Sequence, residues 1–258
     1  MGGESTTRTA PRGGGTGRGP AGGKVGQRLS GLVVALGLVL FLGGFAWAAV
    51  AYRPYTVPTS SMAPTIDMGA RVLAQRVDGG EVRRGDVVVF HDKTWVQNAP
   101  VVKRVVAVGG DTVSCCKQGK LTVNGKQIDE PYLRGRAAAA GGFPKVEVGR
   151  GRLFLLGDER QGSLDSTAHL TDAAEGTVSR DAVSARVDAV VWPMNGMLER
   201  PTGFEALGIL SQPGPLRTMA LMIVSGAVLV LGGAAYDPVA KLLGGSRARA
   251  RTEPAGAR

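Results

Sequence analysis

Histidine and cysteine are nearly missing from this chain, with two of each in 258 residues. His91 and His169 stand far apart and neither belongs to an HExxH helix or a cluster of ligands, so neither a metal site nor a cofactor is expected. A Ser-His-Asp triad would have to recruit one of these two, and no surrounding motif marks either. The cysteines are neighbours, Cys115 and Cys116. That spacing rules out a zinc site or a disulfide framework, and a bond between adjacent residues would be strained. They are expected as two thiols in a turn. No GxSxG elbow and no Walker-type loop occurs. Ser114 and Lys117 fit an S-x-x-K pattern, but its companions S-D-N and K-T-G are absent, and the tetrapeptide precedes a hairpin rather than lying in a helix.

Acidic residues are also in deficit, 21 against 31 basic ones, for a formal net charge of +10. The excess sits at the ends. Residues 1–28 carry +4 and residues 237–258 carry +3, leaving only +3 for everything between. A nucleic-acid-binding face would concentrate charge on the folded part, so nucleic acid is not an expected partner. Beside each basic end lies a long apolar run. Residues 29–51 hold no charge and, as a helix rising about 1.5 Å per residue, would reach roughly 34 Å, enough for a bilayer core of about 30 Å. Trp47 and Tyr52 near its far end suit the lipid–water interface. Ala49-Val50-Ala51 resembles a signal-peptide cleavage site, but the run exceeds the usual signal core, so an uncleaved anchor is expected. Residues 218–236 form the second candidate span, followed by Lys241, Arg247, Arg249 and Arg251. Basic residues flanking both spans place both termini in the cytoplasm and the middle of the chain outside the cell membrane.

That middle reads as mostly β. Runs rich in β-branched residues at 71–76, 86–90, 101–108, 120–123, 153–156 and 185–192 are separated by turn signals such as Gly109-Gly110-Asp111. Asn124-Gly125 favours a type I′ hairpin over residues 121–128. No helical pattern alternates with the strands, which argues against a parallel α/β sheet. The Gly/Arg/Thr/Pro-rich residues 1–28 are expected as a disordered basic tail, and residues 136–142 as a flexible loop. The expected order is thus a tail to residue 28, a transmembrane helix over 29–51, a folded domain over 53–200, a linker over 201–217, a second transmembrane helix over 218–236 and a basic tail over 237–258.

Four blocks carry chemistry. The first, Val57-Pro58-Thr59-Ser60-Ser61-Met62-Ala63-Pro64-Thr65, begins six residues beyond the first apolar run, and its prolines restrict the backbone around the serines. The others are Arg84-Gly85-Asp86-Val87-Val88-Val89-Phe90, Val102-Lys103-Arg104-Val105-Val106, and Gly157-Asp158-Glu159-Arg160-Gln161-Gly162-Ser163-Leu164-Asp165-Ser166. In this order and between apolar anchors, they resemble bacterial type I signal peptidases. The Gly/Arg/Ala-rich composition points to a high-GC source such as an actinobacterium.

The resemblance implies a signal-peptidase-type antiparallel-sheet catalytic domain flanked by transmembrane helices. It also implies a serine endopeptidase that removes signal peptides from exported preproteins at the membrane, without metal or cofactor. The implied partners are those signal peptides, the lipid bilayer and the secretion translocase, with the active site near the outer membrane surface. By position, Ser61 matches the nucleophile, Lys103 the general base, Thr59 the oxyanion-stabilising hydroxyl and Ser163 the serine that orients the lysine. Asp158, Arg160 and Asp165 match supporting positions. Lysine is protonated in neutral water, so a lysine base requires burial against apolar side chains. By strand alternation Lys103 and Arg104 face opposite ways, one toward the site and one toward a structural ion pair.

Two positions depart from the family pattern. Glu159 stands where Asn is usual, and Thr167 stands where Arg is usual. The second departure removes the salt-bridge partner of Asp165, a place that Arg104 is expected to take. A self-cleaving repressor-type Ser/Lys protease is disfavoured by the two apolar runs. A non-catalytic homologue is the reading that Glu159 and Thr167 favour.

Overall fold

The computed structural model of the chain describes residues 22–97, 99–135 and 142–249. In chain order the elements are α1 (Gly22–Ala51), β1 (Tyr52–Thr56), β2 (Arg71–Arg76), β3 (Val87–His91), α2 (Lys93–Val96), β4 (Pro100–Val108), β5 (Thr112–Lys117), β6 (Lys120–Val123), β7 (Lys126–Gln127), β8 (Phe143–Glu147), β9 (Arg152–Leu156), β10 (Thr177–Ser179), β11 (Val183–Trp192), β12 (Gly196–Met197) and α3 (Leu216–Arg249). They fall into two compact units, one of helical residues up to 43 and from 222 onward, the other spanning Gly44–Leu221.

The helical unit pairs α1 with α3. Within them Arg28–Ala51 and Leu216–Tyr236 are each long and apolar enough to cross a membrane. Leu32, Leu36, Val39, Val224, Val228 and Leu231 point outward and are exposed, a surface unfavourable in water and suited to lipid. The helices touch where side chains vanish: a Cβ on Gly226 would lie 2.5 Å from the Phe41 nitrogen and 2.7 Å from the Gly37 oxygen. Ser30 Oγ donates to the Gly233 carbonyl across the pair at 2.8 Å. Such close glycine contacts are typical of helices packed without a hydrophobic driving force. Both helices are longer than the apolar runs. Helix α1 starts at Gly22, inside the tail expected to be disordered to residue 28, through Lys24, Gln27 and Arg28, all good helix formers, and α3 continues to Arg249 through Ala, Lys, Leu and Arg. Residues 1–21 and 250–258 of the expected tails, and residues 136–141 of the expected loop, lie outside the described residues.

The β unit holds two antiparallel sheets. The larger runs β1-β2-β11-β3-β4-β9-β10, with β12 added beside β11, and the smaller runs β7-β6-β5-β8. Every expected strand is present within a residue or two. Asn124 and Gly125 both have positive φ, 53° and 77°, as a type I′ turn needs. Flat, the sheet would hold β1 and β4 four spacings apart, about 19 Å. Register shifts along β11 between Val183 and Ala185, Val187 and Ala189, and Val190 and Trp192 bend it, because bulges sharpen the twist. Three buried apolar clusters fill its faces, with Met62, Ile66, Val72 and Val187 in one, Phe90, Val105 and Leu155 in another, and Val106, Leu121, Phe154 and Phe204 in the third.

Two expectations change here. Cys115 and Cys116 lie on β5 rather than in a turn and are joined to each other as a vicinal disulfide. Residues 201–217, expected as a linker, pack onto the sheets. Phe204 is fully buried, Ser211 Oγ donates to Asp86, and the Leu207 carbonyl accepts from Arg84 at 3.1 Å.

Candidate active site

The nucleophile candidate sits in the loop from β1 to β2. Val57 N–H donates to Ala70 O at 2.9 Å and Gly69 N–H returns to Val57 O at 2.7 Å, closing the loop at its base. Inside it, Thr65 and Ile66 N–H both reach Met62 O at 2.9 Å. Met62 and Ile66 are completely buried, so two apolar plugs fix the turn that presents Ser61. Ser61 itself is only 8% exposed. Thr59 Oγ1 donates to Ser61 Oγ at 3.1 Å, which leaves the serine's own proton for a base.

Lys103 comes from the middle of β4, paired with Val88 of β3. Its side chain lines the same cavity, about 330 Å³, as Ser61, Thr59 and the apolar Pro58, Val102 and Leu164. It is 3% exposed. Burial lowers its pKa from 10.5 to about 8, against the opposing attraction of Asp165 and then Asp158. An amine so placed is substantially deprotonated just above neutral pH and can accept a proton.

The turn after β9 completes the cavity's surroundings. Glu159 N–H donates to Ser61 O at 3.1 Å, binding this turn to the loop that carries Ser61. Gly157 is required by closeness: a Cβ there would lie 2.5 Å from the Ser61 carbonyl and overlap Ser163 Oγ. That Ser163 oxygen is buried and has no hydrogen-bond partner among the described residues. Asp165 accepts from Gly157 N–H at 2.9 Å and from both the N–H and the O–H of Thr167, at 3.1 and 2.8 Å. Thr167 thus supplies the donor that the missing arginine would have given.

Arg104 points to the opposite face of β4, as alternation requires, and is 1% exposed. It does not serve Asp165. Its Nε and Nη2 grip both oxygens of Asp158 at 2.9 and 2.6 Å, and Nη1 donates to Gly85 O at 2.9 Å. Asp165 is already bonded to Gly157 and Thr167, and Arg104 reaches Asp158 at the start of the same turn instead. Gly85 O and Asp86 O tie this loop to β4, with Val105 N–H donating to Asp86 O at 2.8 Å. The Arg84-Gly85-Asp86 block is therefore scaffolding, with Arg84 paired to Asp111.

Arg160 also turns away from the cavity. Its Nε donates to Gly157 O at 2.9 Å and its Nη1 to Glu130 at 3.1 Å. The Arg104 guanidinium lies 3.9 Å over the Tyr132 ring. Glu130 and Tyr132 thus hold the two arginines that brace the 157–160 turn, and sequence reasoning missed both. Their only signal was Asp129-Glu130-Pro131-Tyr132-Leu133 directly after the Asn124-Gly125 hairpin. Among the described residues no group of three or more His, Cys, Asp or Glu could hold a metal ion.

The family model described as Signal peptidase, peptidase S26 matches residues 28–192. Signal peptidase I from Mycobacterium tuberculosis is 33% identical over 191 residues, covering 55% of this chain and 65% of the relative. This chain thus spans just under two thirds of that relative's length. Signal peptidase I from Bacillus licheniformis is 33% identical over 174 residues, 64% of this chain and 87% of the relative. Signal peptidase I T from Bacillus subtilis is 32% identical over 176 residues, 64% and 84% respectively. With the match running from the first apolar helix through β11 and taking in all four blocks, the chain belongs to the signal peptidase family, peptidase S26.

Proposed function

We propose that this chain is a membrane-bound serine endopeptidase that removes N-terminal signal peptides from exported preproteins. Ser61 Oγ attacks the scissile carbonyl while its proton passes to the Lys103 amine. The oxyanion that forms is met by the Ser61 N–H and by the Thr59 hydroxyl, which turns from Ser61 Oγ toward it. The peptide C–N bond then breaks as Lys103 returns the proton to the leaving amine, and water hydrolyses the acyl-serine. Ser163, Asp158, Arg160, Asp165 and Arg104 hold the base and the nucleophile loop in place. The helices α1 and α3 anchor the enzyme in the cell membrane, with basic termini on the cytoplasmic side and substrates arriving from the secretion translocase.

The observation that carries this reading is a deeply buried Lys103 sharing one cavity with Ser61, its pKa brought down to about 8. The test is cleavage of a purified preprotein by detergent-solubilised wild type, Ser61→Ala and Lys103→Ala over about pH 6 to 10. Wild-type activity that both substitutions abolish supports the dyad. A well-folded but inert wild type refutes the enzyme, and activity surviving Ser61→Ala refutes the nucleophile.

A further inference from the structure

One wall of the cavity that holds Ser61 and Lys103 comes from a short turn. Val96, Ala99 and Pro100 line it from the connection between β3 and β4. That connection is the single turn of α2, capped by Asp92, and it ends at Gln97 with φ 48°. Among the described residues its backbone–backbone hydrogen bonds are Val96 N–H to Asp92 O at 3.5 Å and Ala99 N–H to Val96 O at 2.9 Å, beside the cap in which Thr94 N–H and O–H donate to Asp92, and one helical turn is not stable by itself. Trp95 ties the turn to the strands and to the segment after β9. Trp95 meets Phe90 of β3 edge-on, centroids 5.2 Å apart, and stacks on His169 at 4.6 Å with ring planes 10° apart. His169 is held in turn by Asp172, whose carboxylate lies 2.7 Å from Nδ1. The His169 backbone belongs to the short 3-10 turn Ser166–His169 that Asp165 caps. A continuous path therefore runs from Gly157 and Asp165, beside the nucleophile and the base, through His169 to Trp95 and the far wall.

We propose that Trp95, stacked on His169, is a positioning residue that clamps the β3–β4 turn as a wall of the cleft, and that this clamp sets how bulky a substrate side chain the cleft accepts. The proposal rests on the endopeptidase reading above. Neither ring touches the reacting atoms. Their effect is exerted on Val96, Ala99 and Pro100, the side chains a bound extended peptide would meet. With the clamp intact, the wall cannot retreat from a larger residue. Without it the turn gives way, productive binding weakens, and larger residues enter at less penalty.

Two measurements on the detergent-solubilised full chain test this. Hydrogen exchange of residues 93–100 reads the clamp without reference to activity. Trp95→Ala and His169→Ala should speed it about two- to tenfold, the size set by one aromatic pair, while β4 and β9 exchange as in wild type. His169→Phe, which keeps a ring on Trp95, should restore it. Steady-state cleavage of peptides with Ala, Val or Leu at each of the three positions before the scissile bond reads the consequence. Trp95→Ala should raise KM with kcat nearly unchanged, and should cut the Ala-over-Val discrimination by about tenfold, the scale of one misfitted methylene group. His169→Phe should again behave as wild type.

Unaltered exchange in both alanine variants overturns the clamp. Faster exchange with unaltered KM and discrimination overturns its role in specificity, as does failure of His169→Phe to rescue. If the wild type cleaves nothing, the endopeptidase reading fails and the specificity role falls with it, and the exchange data alone then decide whether the clamp exists. His169 is partly exposed, so its variants report even if Trp95→Ala does not fold.

Discussion

Substituting Lys103 by methionine keeps a long side chain on β4 while removing its titration. In the folded chain the amine has a pKa of about 8 in place of 10.5. Well above 10.5 it is neutral in both folded and unfolded chains. As pH falls from there, the unfolded chain takes up the proton first, so the folded state loses stability, and below about 8 that loss is complete. At about 1.4 kcal/mol per pH unit the full loss is roughly 3 kcal/mol, most of it falling between pH 10 and pH 7. Lys103→Met escapes it. The variant should therefore gain on wild type by roughly 2–3 kcal/mol on going from pH 10 to pH 7, whatever their difference at pH 10. Urea unfolding of both proteins in the same detergent at the two pH values measures this directly. For a domain of this size the gain corresponds to roughly 5–10 °C in Tm. Taking the difference between proteins cancels every other group that titrates in the interval. If the variant's advantage is the same at both pH values, burial does not hold the amine deprotonated, and the argument for Lys103 as a base collapses.

Other outcomes follow from the same geometry. Asp165 is the stronger of the two charges that oppose the lowering of the Lys103 pKa. Asp165→Asn should therefore move the rising limb of the kcat/KM profile to lower pH, and a limb that stays put would remove Asp165 from the electrostatics of the proposed base, Lys103. Gly157→Ala would force a methyl group onto Ser163 Oγ and the Ser61 carbonyl. It should destabilise the protein by about 1–3 kcal/mol and cut cleavage more than Gly80→Ala, at an exposed glycine with nothing within 4 Å, measured by thermal unfolding and turnover. Glu130→Gln leaves the Arg160 guanidinium, 2% exposed, without its carboxylate. The expected loss is about 3–5 kcal/mol in chemical denaturation, largely relieved by Glu130→Met with Arg160→Met.

The sequence announced what is local. Alternating apolar runs marked the strands around the site, Asn124-Gly125 marked a hairpin, and an uncharged stretch marked each long helix. Strand period alone separated Lys103 from Arg104, and the structure sends them to opposite faces of β4. What stayed hidden depends on which strands meet. That Arg104 grips Asp158 and leaves Asp165 to Thr167 follows from the relative positions of β4 and the turn after β9, which no spacing reveals. Glu130 and Tyr132 were invisible because they act from the far end of a hairpin in the other sheet, on residues some thirty positions away. His169 looked unremarkable among Thr167, Ala168 and Leu170 because its partner, Trp95, is distant in the chain and close only once β3, β4 and β9 have assembled. The two cysteines were misplaced because a strand with a register shift can carry adjacent residues that a turn was expected to hold.

The stretch from Pro201 to Pro215 bears on how this protein can be taken apart. Phe204 fills a hole in the cluster formed by Val106, Leu121 and Phe154, and Ser211 donates to the buried Asp86 carboxylate. A cut placed after Arg200 would follow the last strand and look like a clean domain boundary, yet it would open a phenylalanine-sized void and strip a donor from a buried acid. Losing the phenylalanine alone should cost about 3–5 kcal/mol, a large share of the stability of an ordinary domain. A soluble fragment intended to retain the β unit should therefore extend through Pro215, and one ending at Arg200 should be recovered aggregated. Where this polypeptide stops being sheet and where it stops being indispensable to the sheet are separated by some fifteen residues without a strand among them.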